Sequence, residues 1–252
     1  MNTTFFVEVW FSYDRPNYKI GPEWVKNRIE IFEKFTLNSI INQTFQDFRV
    51  LLYCGERNRE VTSNHPWHER VEICYDLGKK KYGEVNTDYI SITRLDSDDM
   101  LHKEAMEEIK NNIILSDKRE CLLFRWHYQW DILNYCIRRK LQIAGPFFTH
   151  IFPKSIYKNW DHFSKEHIVE HPRAGGMLMS TRELGKFMVC IIGHGQNISY
   201  LKRGLKYPIL NEKEMEKMKN EIGEDLLFDH REICNILKDF SVSEELINKK
   251  EK

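Results

Sequence analysis

The chain has 252 residues, and its 41% hydrophobic and 13% aromatic content is enough to bury a sizeable core, which excludes an intrinsically disordered protein. Its 38 Lys and Arg residues balance its 38 Asp and Glu residues, so no general attraction to nucleic acid or anionic lipid is expected. Its six cysteines are scattered without a Cys-x-x-Cys pair, a pattern that favours buried reduced thiols.

The sequence shows neither a basic leader nor an apolar run of about 18 residues, roughly the minimum for a membrane-spanning helix. We therefore expect a cytoplasmic protein with no transmembrane segment and no nucleic-acid partner. Peripheral contact with a membrane stays open, as does the oligomeric state.

Strand-like and helix-like segments alternate through the first hundred residues. The pattern predicts a strand over 4–13, a helix over 24–42, and strands over 47–53, 70–75 and 89–95. The polar segments 57–68 and 78–84 are predicted as loops. This alternation predicts the α/β class, with an open, mostly parallel sheet flanked by helices.

The second half of the chain is less regular. Its predicted elements are a helix over 103–115, a strand over 120–130, β structure over 143–152, a short helix over 159–170, apolar runs over 177–180 and 187–192, and helices over 212–220 and 226–240. We expect one domain over residues 1–210 and a helical C-terminal extension over 211–252.

Three carboxylates, Asp96, Asp98 and Asp99, follow the predicted strand 89–95 with only Ser97 between them. A helical pattern follows, so we predict a strand, an acidic turn and a helix, and such strand ends are where α/β folds bind ligands. Crowded acids repel one another unless a cation neutralises them, and Mg²⁺ or Mn²⁺ does this well. The alternative is an acidic helix N-terminus.

Two motifs, in this order, resemble those of a known family. Residues 37–48 contain Ser39-Ile-Ile-Asn-Gln43-Thr, which resembles the Ser-Ile-x-x-Gln-Thr signature of nucleotide-sugar glycosyltransferases with the GT-A fold. Residues 94–99, Arg-Leu-Asp-Ser-Asp-Asp, resemble their Asp-x-Asp metal motif. With Arg28, Phe32 and the stretch from His194 to Asn197 and beyond, the set is similar to a rhamnosyltransferase-like family of bacteria, over roughly residues 5–200.

The resemblance implies a Mn²⁺ or Mg²⁺ ion that bridges the two phosphates of a nucleoside-diphosphate sugar. Asp98 or Asp99 would hold the metal, and His194 would complete its shell. Asp96 would hydrogen-bond the ribose or bind the metal through water. Arg94 would contact phosphate or donor sugar, or form a salt bridge that ties the acidic turn. The alternative for His194 is a structural role.

The first strand is expected to end over the nucleotide. Phe11, Ser12, Tyr13 and Arg15 are therefore candidates for base stacking and phosphate contact, with core packing as the alternative for Phe11. The family has paired acids after its second strand, whereas this chain has Tyr-Cys-Gly-Glu-Arg at 53–57. The identity of the nucleotide therefore stays open.

An inverting sugar transfer needs a base that takes the proton of the acceptor. Asp161 and His162 are the first candidates, and the other candidates nearby are Glu166, His167, Glu170 and His171. The alternative is a helix face with ordinary charge pairing. Without a base opposite the leaving group, a retaining mechanism would follow.

These features predict a metal-dependent glycosyltransferase, of the hexosyl- or deoxyhexosyltransferase kind. It would move a sugar to an unidentified acceptor such as a cell-surface glycan or another saccharide. Two alternatives stay open: other metal-dependent phosphate chemistry, either nucleotidyl transfer or phosphohydrolysis, and a non-catalytic protein that binds a sugar nucleotide.

Overall fold

A computed structural model describes residues 1–12, 21–141, 147–167, 181–195, 213, 226–227 and 229–247. The strands in this part of the chain are β1 (Thr3–Ser12), β2 (Arg49–Cys54), β3 (Val71–Cys74), β4 (Tyr89–Asp96), β5 (Asp99–Leu101), β6 (Glu120–Phe124), β7 (Trp126–Asp131), β8 (Cys136–Leu141), β9 (Phe147–Pro153), β10 (Thr181–Glu183), β11 (Val189–Gly193) and β12 (Leu226–Leu227).

The helices in the same part of the chain are α1 (Pro22–Ile31), α2 (Asn38–Ile41), α3 (Arg59–Asn64), α4 (Lys79–Glu84), α5 (Ala105–Asn111), α6 (Lys154–Tyr157), α7 (Trp160–His167), α8 (His230–Lys238) and α9 (Glu244–Ile247). A π-helical segment, Phe32–Leu37, joins α1 to α2, and a short 3₁₀ helix covers Glu56–Asn58. None of the described helices is long and apolar enough to cross a bilayer.

The larger sheet has seven strands in the order β10-β6-β9-β4-β1-β2-β3. Its neighbouring strands are parallel, except where β9 pairs with β4 and β6. This mostly parallel sheet, flanked by helices, confirms the predicted fold class. Strand β1 lies between β4 and β2, and its side chains serve two cores: Phe5, Val7 and Val9 pack on one face and Phe6 on the other.

The smaller sheet has the order β12-β8-β7-β11-β5. Strand β5 begins three residues after β4 ends, so the acidic turn passes directly from the larger sheet to the smaller one. Helix α8 packs on the smaller sheet, where Leu237 and Phe240 share a core cluster with Trp130 and Phe35. The described C-terminal residues therefore pack against the smaller sheet.

The predicted sequence of strand, acidic turn and helix needs a correction. The turn is followed by β5, and α5 begins only at Ala105. Residues 99–101 are buried and pair with β11, and these ladder hydrogen bonds override a helical start. The acidic run is therefore not a helix N-terminus.

Both polar segments that were predicted as loops contain a helix. Asp76 accepts hydrogen bonds from the N–H groups of Gly78 (3.1 Å) and Lys80 (3.2 Å), and Gly78 takes the left-handed conformation at φ +76°. Helix α4 follows, so this aspartate and glycine start a helix in a lysine-rich segment that was predicted as a loop. Helix α3 likewise replaces part of the predicted loop 57–68.

The C-terminal helix predicted over 226–240 is shorter than expected. Leu226–Leu227 pairs with β8, and α8 begins after Asp229, whose side chain accepts from the N–H of Glu232 at 2.9 Å. The helix predicted over 212–220 lies outside the described residues, apart from Lys213. The apolar run 177–180 lies outside them as well.

Candidate functional site at the acidic turn

The acidic turn meets the end of β11. Strand β4 ends at Asp96, Ser97 and Asp98 form a turn, and β5 starts at Asp99. Because Asp99 pairs with Ile191 in the antiparallel ladder of β5 and β11, His194 just beyond β11 comes back to the turn. The two motifs of the sequence are thus brought together by strand pairing.

Asp98 is held by two donors on other elements. The Nη1 of Arg28, on α1, lies 2.5 Å from Asp98 Oδ2, and His194 Nε2 lies 2.9 Å from the same oxygen. The two nitrogens are 3.5 Å apart. The side chain of Asp98 keeps 15% of its surface exposed, against 2% for Arg28 and 7% for His194.

Burial opposes ionisation of Asp98, but the charges of Arg28 and His194 and their hydrogen bonds outweigh it and hold its pKa well below the usual value. The carboxylate is therefore ionised at neutral pH. Part of the Asp98 side chain is exposed beside the guanidinium of Arg28.

Asp99 has a different environment. Its Oδ1 accepts from the backbone N–H of Ile192 at 3.2 Å, and its side chain is buried. Burial, followed by the charges of Asp98 and Asp96, raises its pKa well above the usual value. Asp99 therefore ties β5 to β11, and the carboxylate that was predicted as a metal ligand accepts this backbone hydrogen bond in the structure.

The acidic turn offers a divalent metal two adjacent side chains. Among the described residues, no group of three or more His, Cys, Asp and Glu side chains converges on one point. Asp98 and His194 do meet, at 2.9 Å. Mg²⁺ is commonly bound through one or two protein ligands with substrate phosphates and waters, so this pair fits an ion that arrives with a diphosphate.

Arg94 and Asp96 lie next to each other on β4, on the same face. Asp96 pairs with Trp10 of β1 in the parallel ladder and is half-buried. The guanidinium carbon of Arg94 lies 4.5 Å from the centre of the Trp10 ring and 5.9 Å from that of Phe148. Arg94 is therefore held by aromatic rings at the side of the acidic turn.

The residues predicted at the end of β1 separate into two groups. Phe11 is buried, and its ring meets the edges of Phe32 and Trp67 at centroid distances of 5.7 and 5.6 Å, so it belongs to the core and offers no free face to a base. Ser12 is also buried, and its Oγ accepts from the N–H of Gly55 at 3.4 Å. Tyr13 and Arg15 lie outside the described residues.

The predicted catalytic bases lie away from the acidic turn. Asp161 and His162 are exposed in the first turn of α7, and His162 Nε2 pairs with Glu166 Oε1 at 2.7 Å. Helices α6 and α7 follow β9, whose last residue pairs with Tyr89 at the start of β4. The structure therefore places this turn at the other end of β4 from the acidic turn. Glu170 and His171 lie outside the described residues.

The remaining candidate of that group, His167, belongs to a second cluster that sequence reasoning missed. Glu8 of β1 is buried, and it accepts hydrogen bonds from His167 Nε2, from Tyr82 and from Tyr53, the last at 2.5 Å. Burial opposes ionisation of Glu8, but His167 and the two hydroxyls lower its pKa. The sequence gives one signal of this cluster: Glu8 lies between Val7 and Val9 in a strand that is otherwise apolar at these positions.

The Ser39 and Gln43 motif has a clear structural role. The Oγ of Ser39 accepts from the N–H of Leu101 at 3.1 Å. Gln43 donates from Nε2 to the carbonyl of His102 at 2.8 Å and accepts at Oε1 from the N–H of Met106 at 3.0 Å. The motif thus fixes the segment that follows the acidic turn to the end of the helix that carries Arg28.

Comparison with protein families gives one match. A family described as "Putative rhamnosyl transferase" matches residues 13–74, a segment that contains Arg28 and the Ser39 and Gln43 motif and ends before the acidic turn. No curated protein sequence matches the chain. Part of the chain is therefore similar to a glycosyltransferase family.

Solved structures similar to this chain include a glycosyltransferase and a manganese complex. The glycosyltransferase GlyE of Streptococcus pneumoniae TIGR4 is 12% identical with a TM-score of 0.40, covering 84% of this chain and 66% of its own. Rv0371C of Mycobacterium tuberculosis H37Rv, in complex with manganese, is 11% identical with a TM-score of 0.36, covering 86% and 98%. The bifunctional IspDF of Campylobacter jejuni is 11% identical with a TM-score of 0.37, covering 78% and 51%. Likeness at this level does not transfer an activity.

Proposed function

We propose that the protein is a glycosyltransferase that moves a sugar from a nucleoside-diphosphate donor to a saccharide acceptor. The observation that carries the proposal is the meeting of Arg28, Asp98 and His194 at the carboxyl end of β4. Arg28 lies within the segment that matches the rhamnosyl transferase family. The other two come from distant parts of the chain and reach it only through the fold.

The chemistry of such a transfer explains this arrangement. When the bond between sugar and diphosphate breaks, negative charge grows on the leaving phosphate, and preorganised positive groups stabilise it. Arg28 provides a fixed guanidinium at the carboxylate of Asp98, and Arg94 provides a second one on the neighbouring face of β4. Both are buried and held in place, so little reorganisation is required when charge develops.

Asp98 and His194 are the residues that would hold a divalent ion, Mn²⁺ or Mg²⁺. Such an ion, when bound, acts as a Lewis acid on the diphosphate oxygens. Asp99 supports this pair from behind by fixing β5 against β11, and Ser39 supports it by fixing Leu101. Asp96, half-buried at the strand end, would make a polar contact with the donor.

The test is a panel of UDP-, GDP- and dTDP-sugars, each incubated with the protein and Mn²⁺, with and without saccharide acceptors. A glycosyltransferase releases the nucleoside diphosphate and leaves the sugar on the acceptor. A nucleotidyltransferase, the alternative kind of enzyme, instead joins a nucleotide to a sugar phosphate and releases pyrophosphate. In parallel incubations with nucleoside triphosphates and sugar phosphates, release of pyrophosphate would refute the proposal. No binding of any sugar nucleotide would also refute it.

A further inference from the structure

A surface patch on the smaller sheet lies apart from the acidic turn. Its members are four residues at the open end of the β7 and β8 pair and two residues from the turn before β11. We define it as the β7–β8 patch: Trp126, Tyr128, Arg139, Leu141, Lys186 and Phe187. In the antiparallel ladder Trp126 pairs with Leu141 and Tyr128 with Arg139, so these four side chains share one face.

The patch leaves apolar surface in solvent. Leu141 is 48% exposed and is one of three large hydrophobic residues that are exposed in the described part of the chain. Its cross-strand partner Trp126 is half-buried. Phe187 is also half-buried, and its ring stacks on Tyr128 at 4.7 Å with an interplanar angle of 23°. A cross-strand pair of this composition at the rim of a sheet indicates a surface that another body covers.

The backbone at Phe187 is strained. Its φ is +61°, in the left-handed region that a bulky residue rarely adopts, while its N–H donates to the carbonyl of Trp126 at 3.0 Å. Strain of this kind persists where the surrounding structure holds it, and it clusters at binding surfaces. Here it keeps the phenyl ring on the outer face of Tyr128.

Positive charge surrounds these rings. Lys186 Nζ lies 5.2 Å from the centre of the Trp126 ring, and the guanidinium carbon of Arg139 lies 6.0 Å from that of Phe187. The sequence contains no Asp or Glu from residue 132 to residue 160. All charged side chains of β8 are therefore positive, although the net charge of the protein is zero.

We infer that the β7–β8 patch docks the protein on the surface of a membrane that contains anionic phospholipids. Tryptophan and tyrosine favour the boundary between headgroups and hydrocarbon, because one part of each side chain is apolar and the other polar. Lysine and arginine extend from apolar surface toward phosphate groups. An exposed leucine gains from hydrocarbon contact, whereas a saccharide chain would gain only from the rings and the cations.

The position of the patch relative to the acidic turn is consistent with this inference. Strand β7 runs from Trp126 to Asp131, which pairs with Gly193 next to His194, so about 17 Å of strand separates Trp126 from the candidate site and about 10 Å separates Tyr128 from it. A membrane bound at one end of β7 would leave the other end open. The inference stands independently of the proposed transfer reaction.

The test is co-sedimentation of the full chain with phosphatidylcholine vesicles, with and without phosphatidylglycerol, in the absence of any donor or acceptor. We expect binding to the anionic vesicles that weakens as salt is added, and little binding to phosphatidylcholine alone. Lys186→Gln is expected to weaken binding about fivefold. Leu141→Ser is expected to weaken it about tenfold.

Two matched variants serve as controls. Lys110→Gln removes an exposed lysine that also lies on a ring, 4.7 Å from the centre of Phe45, and Leu115→Ser changes another exposed leucine, at 42%. Both lie outside the patch and should leave binding unchanged. Equal losses in the controls, or no binding by the unaltered protein, would overturn the inference.

A dimer covering the patch would overturn it as well. Sedimentation without vesicles separates this outcome, because a second copy seated on the patch would give a dimer that dissociates in Leu141→Ser. Binding of a negatively charged polysaccharide that competes fully with the vesicles, and that persists in Leu141→Ser, would assign the patch to a saccharide instead.

Discussion

Two carboxylates of the larger sheet region, Glu8 and Asp98, have similar partners but different access to solvent. Each meets a histidine nitrogen: His167 for Glu8 and His194 for Asp98. Glu8 is sealed, with 3% of its side chain exposed, whereas Asp98 keeps 15%. The same chemistry therefore has two consequences, because a sealed carboxylate can only hold the fold together while an accessible one can exchange its partners for a ligand.

The largest effect on stability is expected for Glu8→Gln, which tests the role of the sealed carboxylate. Removing the charge leaves His167 without its counter-ion inside the protein, so the free energy of unfolding should fall by about 4 kcal/mol. Urea denaturation measures it. Glu56→Gln is the matched control, since Glu56 pairs with Arg59 at an exposed position, where an ion pair contributes little to stability. Equal losses in the two variants would contradict the comparison.

The pH dependence of stability follows from the same pair. The folded-state pKa of Glu8 is lowered from its ordinary value of 4.5, so its contribution is complete above 4.5 and is lost as the pH falls toward the folded value. Stability should therefore decline below about pH 4.5 with a slope that Glu8→Gln reduces. Denaturation series at several acidic pH values test this, and an unchanged slope would contradict it.

The next effect is expected at Asp98. Asp98→Asn should lower the rate of sugar transfer on the order of 100-fold, because it removes the charge that orients Arg28 and His194. The rate of nucleoside diphosphate release measures it, with circular dichroism to verify folding. Asp117→Asn, at an exposed position, is the control. A variant at position 98 with full activity would show that this carboxylate has no role in the reaction.

A smaller effect, on stability, is expected at Gln43, which supports the segment after the acidic turn. Gln43→Ala removes hydrogen bonds to His102 and Met106 and should lower the free energy of unfolding by about 2 kcal/mol. Thermal unfolding measures it, and Gln46→Ala, at an exposed neighbouring glutamine, provides a comparison. Retention of the sugar nucleotide by the folded Gln43→Ala protein would agree with a supporting role.

The smallest effect is expected at Gly78, beside the sealed cluster. A Cβ there would lie 2.7 Å from Tyr82 Cε2 and 2.8 Å from the hydroxyl of Tyr53, at a φ of +76°. Gly78→Ala should cost about 1.5 kcal/mol of stability through this backbone conformation and the close approach. Gly83→Ala is the control, because its Cβ would meet nothing within 4 Å. Equal effects at both positions would contradict the argument.

The sequence predicts the strand ends well where apolar runs stop at polar residues. The acidic residues after β4 and the histidine after β11 were both found from such ends, and the fold brings Asp98 and His194 together. Arg28 was named only through the resemblance to the family. A single arginine in an amphipathic helix does not indicate which residue it contacts. Its contact with Asp98 depends on tertiary packing.

What spacing along the chain leaves unpredicted has one physical origin. Asp161 and His162 were chosen for their chemistry, but an acid and a histidine at neighbouring positions say nothing about which end of a sheet a helix reaches. Glu8 was overlooked because its partners, Tyr53, Tyr82 and His167, come from three other elements. Spacing along the chain gives local structure, whereas these clusters form only through long-range packing.

The π-helical segment Phe32–Leu37 sets the angular relation between two parts of one helix. Arg28 precedes it and reaches Asp98, while Ser39 and Gln43 follow it and hold the residues after the turn. Deleting one residue there would rotate the second part by about 100° relative to the first. Variants of this protein should therefore tolerate changes of side chain in that segment more readily than any change in its number of residues.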